Sequence, residues 1–458
     1  MPPARLELLP AGRQGPRSAG APRRRRTSGD HRRRPHPPHP RPITSRVTAA
    51  ASVVIVGGGI AGVTTARQLR AGGFGGSIRI VESEPLCYDR PPLSKAAFVE
   101  GASLASLAFA TADEYAGQDI EVVADVRATG IEAPGGATGS VTLSDGRVLE
   151  AEAIVLATGA QARSPSFPGG DLPIVGVLRG YRDAVRLRAA VSPGARVLVV
   201  GAGFIGAELT SGLVELGAQV VLVDRNPVPG SRVLGGTLAG YLHGMHAAHG
   251  VDVRVGSVVD AAVEGVRVRA RLDDGSSIAV DAVVVGAGIA IDTSLAASAG
   301  AEIDDAIIVD GAGRTSVAGV WAAGDATRRR GPDGSVAAPI GHWEAAELDG
   351  RAVAADILSA SQPTLRGAGW YWSDRYGIHL EVTGRLVGEG TEVVRWAEPG
   401  RPAAVFRLDG AALVGAASID DSNAVRASRR LIDQRIPLTA AQLADPAVSL
   451  RDLLRKAR

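Results

Sequence analysis

VVIVGGGIAG, Val53–Gly62, is a run of four apolar β-formers that ends in a glycine-rich turn. An apolar-periodic helix pattern, Ile60, Val63, Ala66 and Leu69, follows at once. Gly57, Gly59 and Gly62 therefore form G-x-G-x-x-G between a strand and a helix, the context that this pattern needs. The first glycine permits a tight turn, the second lets the backbone approach a pyrophosphate, and the third lets helix and strand pack closely. The phosphates then face the unpaired N–H groups at the helix start. A second strand, Ser77 to Val81, ends at Glu82, 25 residues after Gly57. That is close to the distance of about 20 expected for the acid that holds a ribose hydroxyl.

The plan recurs in RVLVVGAGFIGAELTSGLVELGAQVVLVD, Arg196 to Asp224. Here Gly201, Gly203 and Gly206 make the turn, and Asp224 lies 23 residues after Gly201. Two complete fingerprints, each with an acid at the right distance, predict two dinucleotide sites in one chain.

At 458 residues there is room for about three domains. No uncharged apolar run of about 18 residues appears, so no transmembrane helix is expected. The single cysteine, Cys87, excludes an internal disulfide and a C-x-x-C centre and suits a reducing cytoplasm. The net charge of +2 conceals an uneven distribution, because twelve Arg against Glu7 and Asp30 occupy residues 1–50. The remainder holds 38 basic and 46 acidic residues, which excludes a nucleic-acid-binding character for the folded part. The Arg- and Pro-rich tail, 1–50, reads as disordered, with translation expected to begin nearer Val47; a basic binding arm or transit segment is the alternative.

Between the fingerprints, CYDRPPLSK (Cys87 to Lys95) is too proline-rich for an ordinary helix, and EAIVLATGA (Glu152 to Ala160) reads as an apolar strand with a small-residue turn. DAVVVGAGI (Asp281 to Ile289) reads as the return strand to the first unit. GRTSVAGVWAAGDAT (Gly313 to Thr327) gives a strand followed by Gly324-Asp325, and a helix is expected from near Trp343 to about Leu358. Gln362-Pro363 marks a boundary, after which alternating strands (Ile378 to Thr383, Ala403 to Leu408, Ala412 to Ala417) and a helix, Ser422 to Asp433, predict a small α+β domain.

On YDRPPLSK, LATGAQAR, the double fingerprint, GVWAAGDAT, HWEAA and WYWSDRYGIHLEVTG, the chain from about Ser52 resembles the FAD-dependent ferredoxin reductases of dioxygenase and haem-thiolate monooxygenase systems. The resemblance implies an α/β, glutathione-reductase-like two-dinucleotide-binding flavoprotein. Its FAD domain would comprise 51–165 and 286–361, its NAD domain 166–285, and its partner-facing C-terminal domain 362–458. It implies hydride transfer from NADH to FAD, then single electrons to a [2Fe-2S] ferredoxin feeding an oxygenase, with no metal in the chain itself and no membrane.

The same resemblance assigns roles by position. Gly57, Gly59, Ala61 and Gly62 would cradle the FAD pyrophosphate, with Glu82 or Ser83 at the adenosine ribose and Val126 at the adenine. Lys95 would lie against the flavin, with Arg90 in the same cofactor-binding segment. Arg163 would reach the FAD phosphates or ribose. Asp325, after Gly324, would hold a ribityl hydroxyl, and Trp343 would pack over the isoalloxazine. Gly201, Gly203 and Gly206 would hold the nicotinamide cofactor, and Glu208 would approach Lys95 and the nicotinamide. A carboxylate at Asp224 favours NADH over NADPH, because it accepts from a ribose 2′-hydroxyl and repels a 2′-phosphate; Arg225 and Arg232 nearby would soften that repulsion.

Plainer readings stand beside these. Trp370 and Trp372 alternate along a strand, which suggests core packing. Arg328-Arg329-Arg330 reads as a solvated loop, with a docking patch for an acidic ferredoxin as the alternative. Cys87 reads as inert, the alternative being a single-cysteine NADH peroxidase or coenzyme A disulfide reductase. A redox-sensing, non-enzymatic flavoprotein with a basic binding tail is the reading from another class.

Overall fold

In the computed structural model the strand Ser52–Val56 lies between Ser77–Val81 and Ala153–Leu156, parallel to both, with Val53 opposite Ile78 on one side and Ala153 on the other. Ile120–Val123 and Val320–Ala322 complete a five-stranded parallel sheet. The structure describes residues 51–135, 138–337, 341–361 and 367–456; the basic tail and the Gln362-Pro363 boundary lie outside them. The central strand is apolar at successive positions because both faces of the sheet are covered. Val53 and Ile55 pack under helices Ile60–Ala71 and Trp343–Ile357. Val54 and Val56 face the other way, among residues of the antiparallel meander Ala128–Glu132, Gly139–Leu143 and Val148–Ala151.

The second fingerprint builds a like sheet. Arg196–Val200 pairs in parallel with Gln219–Asp224 and Ala282–Val285, and Asp252–Val255 and Val175–Gly176 form its edges. Here the expectation for Asp281 to Ile289 needs correction. Ala282–Val285 stays in the second sheet, and the chain crosses back only at Ile289–Ala290, which pairs antiparallel with Gln161–Ala162. The apolar run AVVV fits any buried parallel strand, so composition does not tell which sheet it joins.

One segment of the first unit packs into the core of the second. Leu93 and Phe98, on the turns after the proline pair, cluster with Leu209 and Leu213 of helix Phe204–Glu215. Gly212 makes room for this, since a Cβ there would come 2.8 Å from Val99 Cγ2. The carboxyl-terminal sheet is antiparallel, in the order Trp370–Arg375, Ile378–Gly384, Ala412–Ile419, Arg401–Asp409, Thr391–Glu398. Phe406 and Leu413 pack with Leu431 of helix Ser422–Asp433, while Tyr371 and Val405 face Leu238 and Leu242 of helix Gly236–Ala248. Asp421 caps the former helix by accepting from the amides of Asn423 and Ala424. No helix among the described residues is long and apolar enough to cross a membrane.

Candidate functional site

Both glycine turns have the geometry that their spacing demands. Gly57 and Gly201 take φ of +110° and +97°, where a side chain would be strained. A Cβ on Gly62 would lie 2.0 Å from the Gly57 carbonyl oxygen, and one on Gly206 would lie 1.9 Å from that of Gly201. A Cβ on Gly59 or Gly203 would meet nothing within 4 Å, so this middle position is open to a ligand. Each turn is braced by its strand-end acid: Glu82 Oε2 accepts from the Gly58 amide at 2.6 Å, and Asp224 Oδ2 from the Ala202 amide at 2.7 Å.

A cavity of about 580 Å³ opens at the first turn, within the usual range for cofactor sites. Gly57, Gly59, Ala61, Glu82, Ser83 and Val126 line one part of it. Arg90, Lys95, Gly324, Asp325 and Trp343 line another, and Glu208 enters from the second unit. Gly62 stays behind the wall as a packing contact. Gly201, Gly203, Gly206 and Asp224 belong to the second turn, whose helix reaches the cavity through Phe204, Ile205 and Glu208. The open cradle at Gly59, the unpaired first-turn amides of the helix that follows, and the cavity size fit a dinucleotide.

Arg163 does not line the cavity. It is exposed, and its Nε donates to the Ile289 carbonyl at 2.7 Å. The short pairing of Gln161–Ala162 with Ile289–Ala290 carries it off the cavity wall. Arg179 takes a place there instead, 3.9 Å from Asp325, and its carbonyl accepts from Arg90 Nη1 at 3.0 Å. Burial lowers the Arg179 pKa, as does the neighbouring Arg90 charge.

The junction of the two units is polar and dense. Lys95 Nζ lies 3.3 Å from Glu208 Oε1 and 3.1 Å from Asp374 Oδ2. Glu208 also accepts from Ser94 Oγ at 2.6 Å, Ser373 Oγ at 2.8 Å and the Asp374 amide at 3.0 Å, so a buried carboxylate is fully satisfied. Trp343 Nε1 donates to Asp89 at 2.8 Å, and burial raises the Asp89 carboxyl despite that bond. Trp372 also lines the cavity, edge-on to Trp343 and stacked on Trp370 at 4.8 Å. The core reading of these two tryptophans is therefore corrected: Tyr371, Ser373 and Arg375 take the fully buried face of the strand, and Trp370 and Trp372 are only partly buried on the other. Period 2 shows that the tryptophans share a face, but not which face is covered.

Cys87 does not line the cavity. It lies behind the first turn, where a Cβ on Gly58 would touch its Sγ, and burial and the Glu82 charge push its thiol up to about 12. The three arginines 328–330 are each paired, Arg328 with Asp304 at 3.0 Å, Arg329 with Asp349 at 2.5 Å, and Arg330 with Glu302.

Residues 51–349 match the family model described as pyridine nucleotide-disulphide oxidoreductase, and 370–454 match one described as reductase C-terminal. The chain belongs to the pyridine nucleotide-disulphide oxidoreductase family. Within it, the chain is 32% identical over 410 residues to the ferredoxin–NAD(+) reductase subunit of a benzene 1,2-dioxygenase system of Pseudomonas putida, covering 89% of this chain and 98% of that one. It is 32% identical to rhodocoxin reductase of Rhodococcus erythropolis, over 87% of this chain and 93% of the relative. A crystal structure of the covalent putidaredoxin reductase–putidaredoxin complex superposes with a TM-score of 0.82 at 29% identity, covering 89% of this chain and 99% of that one. The α/β two-dinucleotide architecture is thus the family's own, with FAD and NAD(H) as its cofactors.

Asp374, Ser94, Ser373, Trp372 and Arg179 were not singled out as site residues from the sequence. Four of them lie in RPPLSK and WYWSDRYG, two segments distinctive in sequence. That was the available signal, and Arg179 carried none.

Proposed function

We infer that this chain oxidises a reduced nicotinamide dinucleotide and delivers the electrons to a [2Fe-2S] ferredoxin serving an oxygenase. The observation that carries the inference is the Lys95–Glu208 contact, which brings helix Phe204–Glu215 of the second unit to the wall of the cavity opened by the first. The relatives' names, ferredoxin–NAD(+) reductase and rhodocoxin reductase, give the partner class. Residues 51–165 and 286–361 then hold FAD, 166–285 hold the nicotinamide cofactor, and 362–458 face the ferredoxin.

Bound FAD supplies the redox chemistry, accepting a hydride equivalent and releasing electrons singly. The chain supplies position and charge. The Lys95 ammonium favours negative charge in the cavity, and its place is set by two carboxylates, Glu208 and Asp374. Trp343 is held by Asp89 and covers one side, while His342 stacks on Tyr371 at 4.1 Å beside it. Asp224, at the second ribose position, favours NADH. Stopped-flow mixing of the yellow holoenzyme with NADH or NADPH, followed by an oxidised ferredoxin, tests the reading. NADH should bleach the flavin at least about tenfold faster than NADPH, and ferredoxin should restore the colour. Protein that takes up no FAD removes the proposal.

A further inference from the structure

A chain that passes electrons from NADH to a one-electron acceptor must also dispose of a proton, and the inference rests on that proposed function. NADH and two oxidised one-electron acceptors give NAD⁺, two reduced acceptors and H⁺. The acceptor takes only electrons, so the proton must leave a cavity walled by protein.

Two lines of polar contacts lead away from Lys95, each beginning with an ion pair. The line through Glu208 ends at Ser94 and Ser373, which are buried. The other runs outward. Asp374 Oδ2 faces Lys95 Nζ at 3.1 Å, Asp374 Oδ1 faces His379 Nδ1 at 2.5 Å, and the His379 side chain is 40% exposed. The far imidazole nitrogen, Nε2, lies 3.2 Å from Glu381 Oε1. Glu381 is itself fixed by Trp370 Nε1 at 2.8 Å and by the Ser422 hydroxyl. Asp420 accepts the His379 backbone amide at 2.7 Å, which pins the strand end that carries the ring.

We propose that Asp374 and His379 form a proton outlet for the cavity, with Lys95 as its inner station. Lys95 passes a proton to Asp374 Oδ2 as it takes up the one released in the cavity. Asp374 gives one up from Oδ1 to His379 Nδ1, and His379 loses one to water. Every transfer is heterolytic, so nothing along the line is oxidised or reduced. Both ring nitrogens face carboxylates, so the imidazolium is held by Asp374 at Nδ1 and by Glu381 at Nε2, and the partly exposed ring is where the proton leaves to water. The groups facing the imidazole are Asp374 from the adjacent strand, Glu381 from its own, and Asp420 beyond Ala412–Ile419; Lys95 and Glu208 stand behind Asp374. Burial alone would push His379 down, but hydrogen bonds and charge from Asp374 and then Glu381 outweigh it and raise the ring above its ordinary value. Asp374 and His379 act through Lys95 and are positioning residues.

The holoenzyme, reduced by NADH and mixed with ferricyanide in a stopped-flow instrument, tests this. His379→Ala should keep the wild-type rate of reduction by NADH and lose about tenfold in reoxidation, less than the roughly hundredfold of a direct acid–base group. Free imidazole should restore the reoxidation rate. The second readout needs no turnover: NMR titration of the His379 ring should show its pKa falling in Asp374→Asn and rising in Lys95→Met, which takes a cation from Asp374. Wild-type reoxidation in His379→Ala, a loss that imidazole leaves unchanged, or a His379 titration indifferent to Lys95→Met would each overturn the outlet. Should His379→Ala fail to hold FAD, the titrations decide alone. Wild-type holoenzyme that NADH does not reduce would instead remove the functional reading, and the outlet with it.

Discussion

Lys95 and Glu208 come from different dinucleotide-binding units, yet 3.3 Å separates Nζ from Oε1. Their meeting depends on Leu93 and Phe98 being buried against the helix that carries Glu208. Glu208 is 7% exposed and accepts three further hydrogen bonds. Glu208→Gln keeps the shape and removes the charge, so it should fold, retain FAD and slow reduction by NADH by about tenfold to a hundredfold. Glu208→Leu leaves Lys95 and the buried Arg375 without that counter-charge, which should cost about 3–5 kcal/mol in urea unfolding. Equal stability of the two variants would contradict this account of the junction.

Cys87 is held as a thiol. With its pKa pushed up to about 12, only about one molecule in ten thousand carries the thiolate at pH 8. Iodoacetamide should therefore label the native protein only as fast as it opens, and Cys87→Ser should retain NADH-driven reduction of an artificial acceptor. Rapid labelling accompanied by loss of turnover would revive the single-cysteine reading.

His246 should make the fold acid-sensitive. Its ring is fully buried, Nδ1 meets Tyr376 Oη at 2.7 Å, and Nε2 has no partner among the described residues. Burial, and then the charges of Arg375, His243 and His249, lower its pKa from 6.5 to about 3. The unfolded chain thus binds a proton that the folded one refuses, and stability is lost as pH falls from about 6.5 toward 3. At about 1.4 kcal/mol per unit, the loss approaches 2 kcal/mol by pH 5. Unfolding of His246→Gln across that range should show a shallower pH dependence than wild type.

The arginine run should not steer the ferredoxin. Arg328 and Arg330 are already paired with Asp304 and Glu302, so changing both to Ala should leave the ionic-strength slope of ferredoxin reduction unaltered. Arg329 differs. It meets Asp349, whose other oxygen accepts from the Gly324 amide at 3.2 Å on the cavity wall. Arg329→Ala should thus weaken FAD retention, by about tenfold for one charge-assisted bond, measured by flavin release on dilution.

Much of this was legible in local sequence. VVIV and VLVV before a glycine turn can only be strands covered on both faces, and the spacing of Gly57, Gly59 and Gly62 and of Gly201, Gly203 and Gly206 reports backbone conformations that are decided within ten residues. Side-chain direction was less legible. Trp370 and Trp372 were seen to share a face, but Tyr371 and Arg375 were equally able to point outward until the sheet docked on helix Gly236–Ala248. Arg163 looked like a phosphate ligand from its segment, and a two-residue strand pairing more than a hundred positions away turned it aside.

The sequence by itself determined two parallel sheets with phosphate-ready turns and an antiparallel terminal domain, because hydrophobic period and glycine placement act over a single turn or strand. Only the tertiary structure decided that Asp374 pairs with Lys95 from behind the cavity wall, and that Ala282–Val285 stays in the second sheet. Those outcomes depend on which apolar surfaces bury one another across more than a hundred residues, and burial is non-directional. No local pattern encodes the partner.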